Sequence, residues 1–389
     1  MQRRTFLQAA GLLGGFSAFG FNAPMRSAIA AACGPLAVTG PSPYGPLLAA
    51  DANGLQLPAG FTSRVLARSG QLVGTTGYTW RNFPDGGACF PNSTTGGWYY
   101  ASNNEVSSPG GGAQALEFSS TGAIVRAYSI LSGSQRNCAG GKHQGKWLSC
   151  EEVSRGIVWE CDPKGVGAPI RRLPLGSFAH EAALSLNPRI YLTEDQPDGR
   201  FYRFTPSTWP SLAAGVLEVM VVTGNTVTWL PIPNPNPTST QTSVRRQVPS
   251  STIFNGGEGI TTFGGKVFFT TKGDQKVWEY DPINQQICTR YDNPTDPSHT
   301  ITGPDNITAA KSGDMYVCED PGNVTSMELV LIEPDGTVSP FVQITGQTGS
   351  EFAGVAFTAA GNRMYFSSQR GGGLGITYEV SGPFRTVAN

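Results

Sequence analysis

The sequence predicts an all-β protein, a six-bladed β-propeller with a long inserted loop. Three observations lead to this prediction: the composition is rich in turn residues, a short strand phrase recurs along the chain, and a second phrase precedes each copy. Several short strands and tight turns in each repeat are typical of propeller blades. A sandwich in which short strands coincide by chance is the alternative.

The composition has few charges and many turn residues. Of the 389 residues, 14% are charged, compared with about 25% in an ordinary soluble domain. The chain has 50 Gly and 29 Pro, which favours strands joined by tight connections over surface helices. The formal net charge of -1 lacks the basic excess of a general nucleic-acid-binding protein, so we expect no nucleic-acid partner.

The N-terminus is typical of an export signal. Arg3 and Arg4 are followed by Phe6 and Leu7, then by an apolar Gly/Ala-rich stretch and a small-residue zone at 28–32. We interpret residues 1–32 as a twin-arginine signal peptide and 33–389 as a single propeller domain, exported to the periplasm or secreted. The apolar stretch is too short and too rich in glycine for a stable membrane span. An ordinary secretory signal and a lipoprotein anchor at Cys33 are the alternatives.

The recurring phrase is a turn residue, a short apolar strand and a polar or acidic end. Most neighbouring copies lie about 45 to 50 residues apart. One longer gap contains a Pro/Thr/Asn-rich stretch, so we predict an inserted loop at about 205–250. The copies are GGWYYASNNE (96–105), GKWLSCEE (145–152), PRIYLTED (188–195), GGKVFFTTKGD (264–274), GDMYVCED (313–320) and GNRMYFSSQ (361–369). The aromatic residues inside these strands are predicted to be core.

The second phrase is a polar residue that leads an apolar strand, upstream of each copy of the first. Its leading residues are Asp85, Cys138, Glu181 after His180, Glu258, Asp305 and Glu351. In a blade the innermost strand and the next strand are antiparallel, so the start of one lies beside the end of the other. Both sets of polar residues are therefore predicted to converge at one end of the propeller, near its axis.

A ring of carboxylates requires neutralising cations or strongly raised pKa values. Carboxylate oxygens suit hard cations such as calcium, whereas a thiolate such as that of Cys138 favours a transition metal. Three histidines in all make a His-rich zinc site improbable by composition. Neither a Gly-x-Ser-x-Gly elbow nor a phosphate-binding glycine loop occurs.

Each candidate residue also has a structural interpretation. Cys138 is alternatively a disulfide partner or a buried small residue, and Cys150 and Cys161 alternatively pair across adjacent strands. The acidic pairs at strand ends have one member on each face, so only one of each pair can face the channel. Lys272 is a candidate for binding phosphate and alternatively a surface lysine. His180 is alternatively a core histidine, and Asp305 the start of an Asx-turn.

Together these motifs resemble the signature of PhoX-type alkaline phosphatases. The resemblance runs from about residue 60 to 370 and rests on several phrases. These are Asn137 to Gly141 with Trp147 to Glu152, His180 to Ala183, Thr193 to Asp195 followed by Gly199 to Phe204, Gly303 to Asn306, and Glu351 with the strand at Tyr365.

The resemblance implies a metal-dependent phosphoester hydrolase with an iron–calcium centre in the channel, containing Fe3+ and Ca2+. Carried over by motif, the iron ligands are Cys138, Glu152, Glu181, Glu258 and Asp305. Calcium would bind some of Glu194, Asp195, Glu319 and Asp320, and Lys272 is the candidate catalytic cation. We expect a monomer that acts on a small-molecule phosphoester.

One departure concerns the substrate clamp. Phosphatases of this family carry a phosphate-binding arginine two residues before the glutamate equivalent to Glu258, where this chain has Gly256. Lys272, Arg136 or Arg155 are the candidate substitutes. Two other functions stay open at this point: a calcium-dependent lactonase, in which Cys138 has no metal role, and a non-catalytic calcium-binding propeller.

Overall fold

The computed structural model describes residues 34–386, and the predicted signal peptide lies outside these residues. In the described part the chain forms 27 strands and four short 3₁₀ helices, and no helix there is long and apolar enough to cross a membrane. The strands are β1 (Val38–Thr39), β2 (Leu55–Gln56), β3 (Thr62–Arg68), β4 (Pro84–Asn92), β5 (Gly97–Asn104), β6 (Gly111–Phe118), β7 (Ile124–Ser134), β8 (Gly141–His143), β9 (Lys146–Cys150), β10 (Val158–Cys161), β11 (Ile170–Arg171), β12 (His180–Leu186), β13 (Arg189–Glu194), β14 (Phe201–Thr208), β15 (Ser211–Thr223), β16 (Thr226–Pro231), β17 (Gly257–Phe263), β18 (Lys266–Thr271), β19 (Lys276–Asp281), β20 (Gln286–Asp292), β21 (Pro304–Ala309), β22 (Met315–Glu319), β23 (Ser326–Ile332), β24 (Thr337–Thr345), β25 (Phe352–Phe357), β26 (Arg363–Ser368) and β27 (Ile376–Ser381). The 3₁₀ helices are Leu173–Leu175, Val244–Arg246, Asn293–Thr295 and Gly371–Gly373.

The strands form six antiparallel blades, as predicted. Blades one to five begin with the inner strands β4, β8, β12, β17 and β21, and each blade continues outward through the next three strands. Blade six consists of β25, β26 and β27, and β3 from the N-terminal part of the chain completes it. The ring is thus closed by pairing the two ends of the described chain, which leaves no open blade.

The predicted inserted loop at about 205–250 is wrong for its first half. Strands β14, β15 and β16 occupy most of 201–231, and β16 extends blade three to a fifth strand that touches blade four at Thr226 and Gln286. The loop is confined to the connection from β16 to β17, where it carries the 3₁₀ helix Val244–Arg246. The additional strand lengthens this repeat, and that length made the whole segment resemble an insertion.

The core lies between the blades and is rich in aromatic residues. The aromatic residues predicted to be core are all buried, and they are Trp147, Tyr191, Phe268, Tyr316 and Tyr365. Cys150 and Cys161 are free thiols and do not form the cross-strand pair considered from the sequence. The register explains this result, because Cys150 lies opposite Val158 and Cys161 opposite Trp147.

A break in the ladder recurs near the start of the inner strands. The register of β4, β12, β17, β21 and β25 shifts there, for example between His180 and Ala183. Such a bulge re-aims a side chain. Small residues near the starts of the inner strands let neighbouring blades approach closely: a Cβ on Gly141 in β8 would lie 1.6 Å from the carbonyl oxygen of Ala183.

Buried glutamates at the ends of the second strands hold adjacent loops and strands in place. Glu194 accepts a hydrogen bond from the Tyr202 hydroxyl at 2.7 Å and pairs with Arg245 at 3.2 Å. Glu319 accepts bonds from the backbone amides of Thr302 at 2.7 Å and Glu328 at 3.0 Å. Burial raises the pKa of Glu194 to about 7 and that of Glu319 to about 8.

We predict that Gly141→Ala lowers the free energy of unfolding by about 3 kcal/mol or more, because its methyl group would overlap a backbone carbonyl of the next blade. Gly224→Ala is the control: this glycine has a φ of 62° and open space around it, so the change should cost about 1 kcal/mol. Urea denaturation measures both. Equal costs would show that the blades do not meet as described.

The buried carboxyl of Glu319 predicts a pH dependence of stability. Its folded pKa of about 8 lies above the ordinary 4.5, so its contribution is fully present below pH 4.5 and is lost as the pH rises through 8. Relative to Glu319→Gln, the wild type should therefore become less stable from pH 5 to pH 9, as measured by urea denaturation at fixed metal concentration. A constant difference between the two proteins would contradict the raised pKa.

Candidate metal centre

A polar cavity of about 160 Å³ lies where the inner strands begin. Its lining contains nine carboxylates, one thiol and three cationic side chains. These residues are Asp85, Glu105, Arg136, Cys138, Glu152, Glu181, Asp195, Glu258, Lys272, Asp305, Asp320, Glu351 and Arg370. Each blade contributes to the wall, which is the convergence that the two repeated phrases predicted.

The lining side chains form two rings. The inner-strand ring comes from the start of each first strand and contains Asp85, Cys138, Glu181, Glu258, Asp305 and Glu351. The second-strand ring comes from the residues just after each second strand and contains Glu105, Glu152, Asp195, Lys272, Asp320 and Arg370. Arg136 also lines the cavity, next to both rings, and comes from the connection that precedes Cys138. In the second-strand ring, Lys272 and Arg370 stand where the other blades have carboxylates.

The structure brings together most of the predicted site residues. Seven of the nine predicted metal ligands line the cavity, together with Lys272; the seven are Cys138, Glu152, Glu181, Asp195, Glu258, Asp305 and Asp320. Glu194 and Glu319 do not line it, which leaves Asp195 and Asp320 as the members of the predicted calcium set in the cavity. Successive residues at a strand end point to opposite faces, and the carboxylates of Glu194 and Glu319 bind backbone and side-chain donors inside their blades.

Four lining residues were not among the predicted metal ligands or phosphate-binding candidates: Asp85, Glu105, Glu351 and Arg370. Asp85 and Glu351 lead two of the six second phrases, and Glu105 ends the first copy of the first phrase. Their equivalence to the selected residues was the available signal. Arg370 lies one residue beyond the last copy, so only the spatial alignment of the blades identifies it.

Four groups of three potential ligands have atoms within 4.8 Å of one another. The groups are Glu105 with Cys138 and Glu152, Asp85 with Glu105 and Glu351, Glu181 with Glu258 and Asp305, and Asp305 with Asp320 and Glu351. The Cys138 sulfur lies 3.5 Å from Glu152 Oε2. The thiol therefore belongs to the carboxylate cluster and not to the apolar core.

The carboxylates are not neutralised by the side chains of the chain itself. Burial raises the pKa of Glu181 and Glu258 well above the ordinary range, and neighbouring carboxylates add to the effect. Burial and Asp195 raise the pKa of Glu152 to about 7. Nine carboxylates face three cations, so fully ionised carboxylates would leave an excess of six negative charges. Buried oxygens and a thiol in such excess fit bound metal cations.

Lys272 lies among carboxylates of both rings. Its Nζ is 2.9 Å from Glu258, 3.3 Å from Asp320 and 3.5 Å from Asp305. Burial alone would lower the pKa of Lys272, but these carboxylates outweigh burial and raise it well above its ordinary value. The lysine is thus a fixed positive charge within the cavity wall.

Gly256 lies beside the cavity, at the boundary between blades three and four. Its φ is 67° and its carbonyl accepts the backbone N–H of Lys272 at 2.8 Å. A Cβ at this position would lie 3.4 Å from Asp195 Oδ1. A glycine with positive φ suits this turn, and it leaves the wall next to Asp195 without an arginine.

Comparison with known proteins identifies the family. The family model "Alkaline phosphatase PhoX" matches residues 95–372, which is more than half of the chain. Comparison with curated proteins finds no match.

Two solved structures share the fold. Pseudomonas fluorescens PhoX in complex with vanadate, a transition state analogue, is 14% identical with a TM-score of 0.72, covering 90% of this chain and 98% of that one. A Bacteroides thetaiotaomicron protein of unknown function is 10% identical with a TM-score of 0.51, covering 82% and 76%. At these identities the likeness is one of fold, and the family assignment rests on the family model. The chain belongs to the PhoX family of alkaline phosphatases, which are phosphoric monoester hydrolases.

Proposed function

We propose that this chain is a metal-dependent phosphoester hydrolase that uses an iron–calcium centre in the propeller channel. The observation that carries the proposal is the cavity itself, in which nine carboxylates surround one buried thiol. Family membership supports phosphomonoesters as substrates, with phosphodiesters as a second class to test. The vanadate bound to Pseudomonas fluorescens PhoX supports a phosphoryl group as the ligand.

The donor atoms suggest how two kinds of metal would be divided. Iron would be held by the set that the family resemblance implies, Cys138, Glu152, Glu181, Glu258 and Asp305. Calcium would use oxygen ligands only, from Asp195 and Asp320. When bound, these cations supply electrostatic stabilisation of the charge on the transferring phosphoryl group.

The chain positions the thiol through a layer of hydrogen bonds behind it. The side-chain amide of Asn103 donates to the Cys138 carbonyl. The Asn103 oxygen accepts from Trp147 Nε1 at 2.8 Å and Ser149 Oγ at 2.7 Å. Such partners orient metal ligands and are needed for full affinity. Because all three residues are buried, the position of Cys138 is set by the folded blades.

The cellular setting belongs to the same proposal. A twin-arginine route would export the folded protein to the periplasm or the exterior, with a small-molecule phosphoester as the substrate. The lactonase alternative leaves Cys138 without a role, whereas its thiol lies among the carboxylates. The metal-dependent hydrolase therefore accounts for more of the site.

We predict that Cys138→Ala lowers kcat/KM for p-nitrophenyl phosphate at least about 100-fold and lowers the iron content, because the thiol is a direct ligand and even outer-shell partners contribute 10- to 100-fold. Cys161→Ala is the matched control, since Cys161 is a buried free thiol outside the cavity. Elemental analysis accompanies the kinetics. Wild-type rate and iron content in Cys138→Ala would remove the thiol from the site.

We predict that chelation of the purified protein abolishes phosphatase activity, because the excess negative charge of the cavity would then repel an anionic substrate. Adding back calcium and iron together should restore the rate, while either alone should restore less. Activity that survives complete removal of both metals, as checked by elemental analysis, would refute a metal-dependent mechanism.

A further inference from the structure

Lys272 is engaged by three carboxylates. Its Nζ donates hydrogen bonds to Asp320 at 3.3 Å and to Asp305 at 3.5 Å, and it forms an ion pair with Glu258 at 2.9 Å. A phosphoryl oxygen would have to compete with these three carboxylates for one ammonium group. The lysine is therefore suited to neutralise the wall rather than to hold the substrate.

Two arginines in the same cavity keep donors available. Arg136 directs Nε and Nη2 at Glu105 Oε1, at 3.0 and 2.8 Å. Arg370 directs Nη2 at Glu105 Oε2, at 3.2 Å, and Nη1 at Glu351, at 3.0 Å. A guanidinium has five N–H donors, so these carboxylate contacts use about two of each. The side chains are 47% and 40% exposed, and both line the cavity, so their remaining donors are not enclosed by the protein.

Glu105 holds both guanidiniums next to the potential metal ligands. Each of its oxygens binds one arginine, and Glu105 itself belongs to the ligand groups of Cys138 with Glu152 and of Asp85 with Glu351. The paired arginines thus lie at the edge of the carboxylate cluster. A planar guanidinium can bind two phosphate oxygens through two parallel N–H···O hydrogen bonds, a fixed geometry that a lysine lacks.

Arg370, and the Glu105 that holds both arginines, lie across the ring from Gly256. Gly256 is at the boundary between blades three and four, whereas Arg370 belongs to blade six and Glu105 to blade one. Arg136 reaches Glu105 from the connection between blades one and two. In a six-bladed ring the boundary between blades three and four is diametrically opposite the boundary between blades six and one. Gly256 supplies no positive charge where the resemblance implies an arginine, and two arginines supply positive charge on the opposite side of the cavity.

We infer that Arg136 and Arg370, positioned by Glu105, form the phosphate clamp of this chain and favour phosphomonoesters with two negative charges. This inference rests on the proposed phosphoester hydrolysis. The clamp binds non-bridging phosphoryl oxygens from the blade six to blade one side. Glu105 acts through the arginines and is a positioning residue.

The test uses the metal-loaded protein and the variants Arg136→Gln, Arg370→Gln and Arg370→Lys, with Arg126→Gln as the control. Arg126 is an exposed arginine that pairs with Glu117, and neither residue lines the cavity. Kinetics with p-nitrophenyl phosphate and bis(p-nitrophenyl) phosphate are combined with calorimetric titration of inorganic phosphate. Elemental analysis and thermal unfolding verify the metal content and the fold, and any lost metal is restored before titration.

Each Gln variant should weaken phosphate binding and raise KM for the monoester about 10-fold or more, since a charge-assisted hydrogen bond contributes about that factor. The value of kcat should change less, and the preference for monoester over diester should fall. Arg370→Lys should recover part of the affinity, and Arg126→Gln should behave as wild type.

Unchanged phosphate affinity in both Gln variants, in a wild type that hydrolyses phosphoesters, would overturn the clamp and leave the proposed function standing. A metal-loaded wild type without any phosphoester hydrolysis would instead refute the proposed function. Loss of metal in a variant whose phosphate affinity returns to the wild-type value on reloading would also overturn the clamp, because the arginines would then act only on metal binding.

Discussion

Crowding of carboxylates at one end of the propeller channel is the constraint on which the rest of the structure depends. Nine carboxylates and a thiol share a cavity of about 160 Å³ with three cationic side chains. Isolated buried charges are costly, so these groups must take up protons or bind cations. Burial and neighbouring carboxylates raise the pKa values of Glu181 and Glu258, so without cations these groups retain protons to higher pH than usual. Bound metal ions, as proposed, would let the carboxylates ionise without this repulsion.

The fold satisfies this constraint through its closed ring. The shifted registers of the inner strands turn the leading polar side chains toward one end, and the small residues there let adjacent blades meet backbone to backbone. Pairing of β3 with β27 completes the last blade, which carries Arg370. In the second-strand ring, the positive side chains that offset the carboxylates are not evenly spaced around the channel. Lys272 lies on one side and the arginine pair on the other, which is the arrangement that the proposed separation of metal binding from phosphate binding depends on.

The repeated phrases were sufficient to predict the six blades and most of the cavity lining. Position in the repeat determines position in space, so Cys138, Glu181, Glu258 and Asp305 could be grouped from the sequence. Which of two adjacent acidic side chains points into the cavity could not be predicted. Asp195 lines the cavity whereas Glu194 accepts a hydrogen bond from Tyr202, and the difference depends on which face of the strand is turned inward. The repeat pattern also could not predict how far blade three extends, because the sequence has no distinct boundary between β16 and the long connection that follows it. Glu105 and Arg370 belong to different blades, and only ring closure brings them together.

The central claim is that this cavity is a mixed metal centre, and anomalous X-ray scattering from crystals of the protein purified with its native metals tests it most directly. Data collected on either side of the iron absorption edge locate iron independently of other ions. The account predicts iron within bonding distance of the Cys138 sulfur, with further density for calcium near Asp195 and Asp320. Crystals of active protein in which the cavity lacks an iron signal would contradict it.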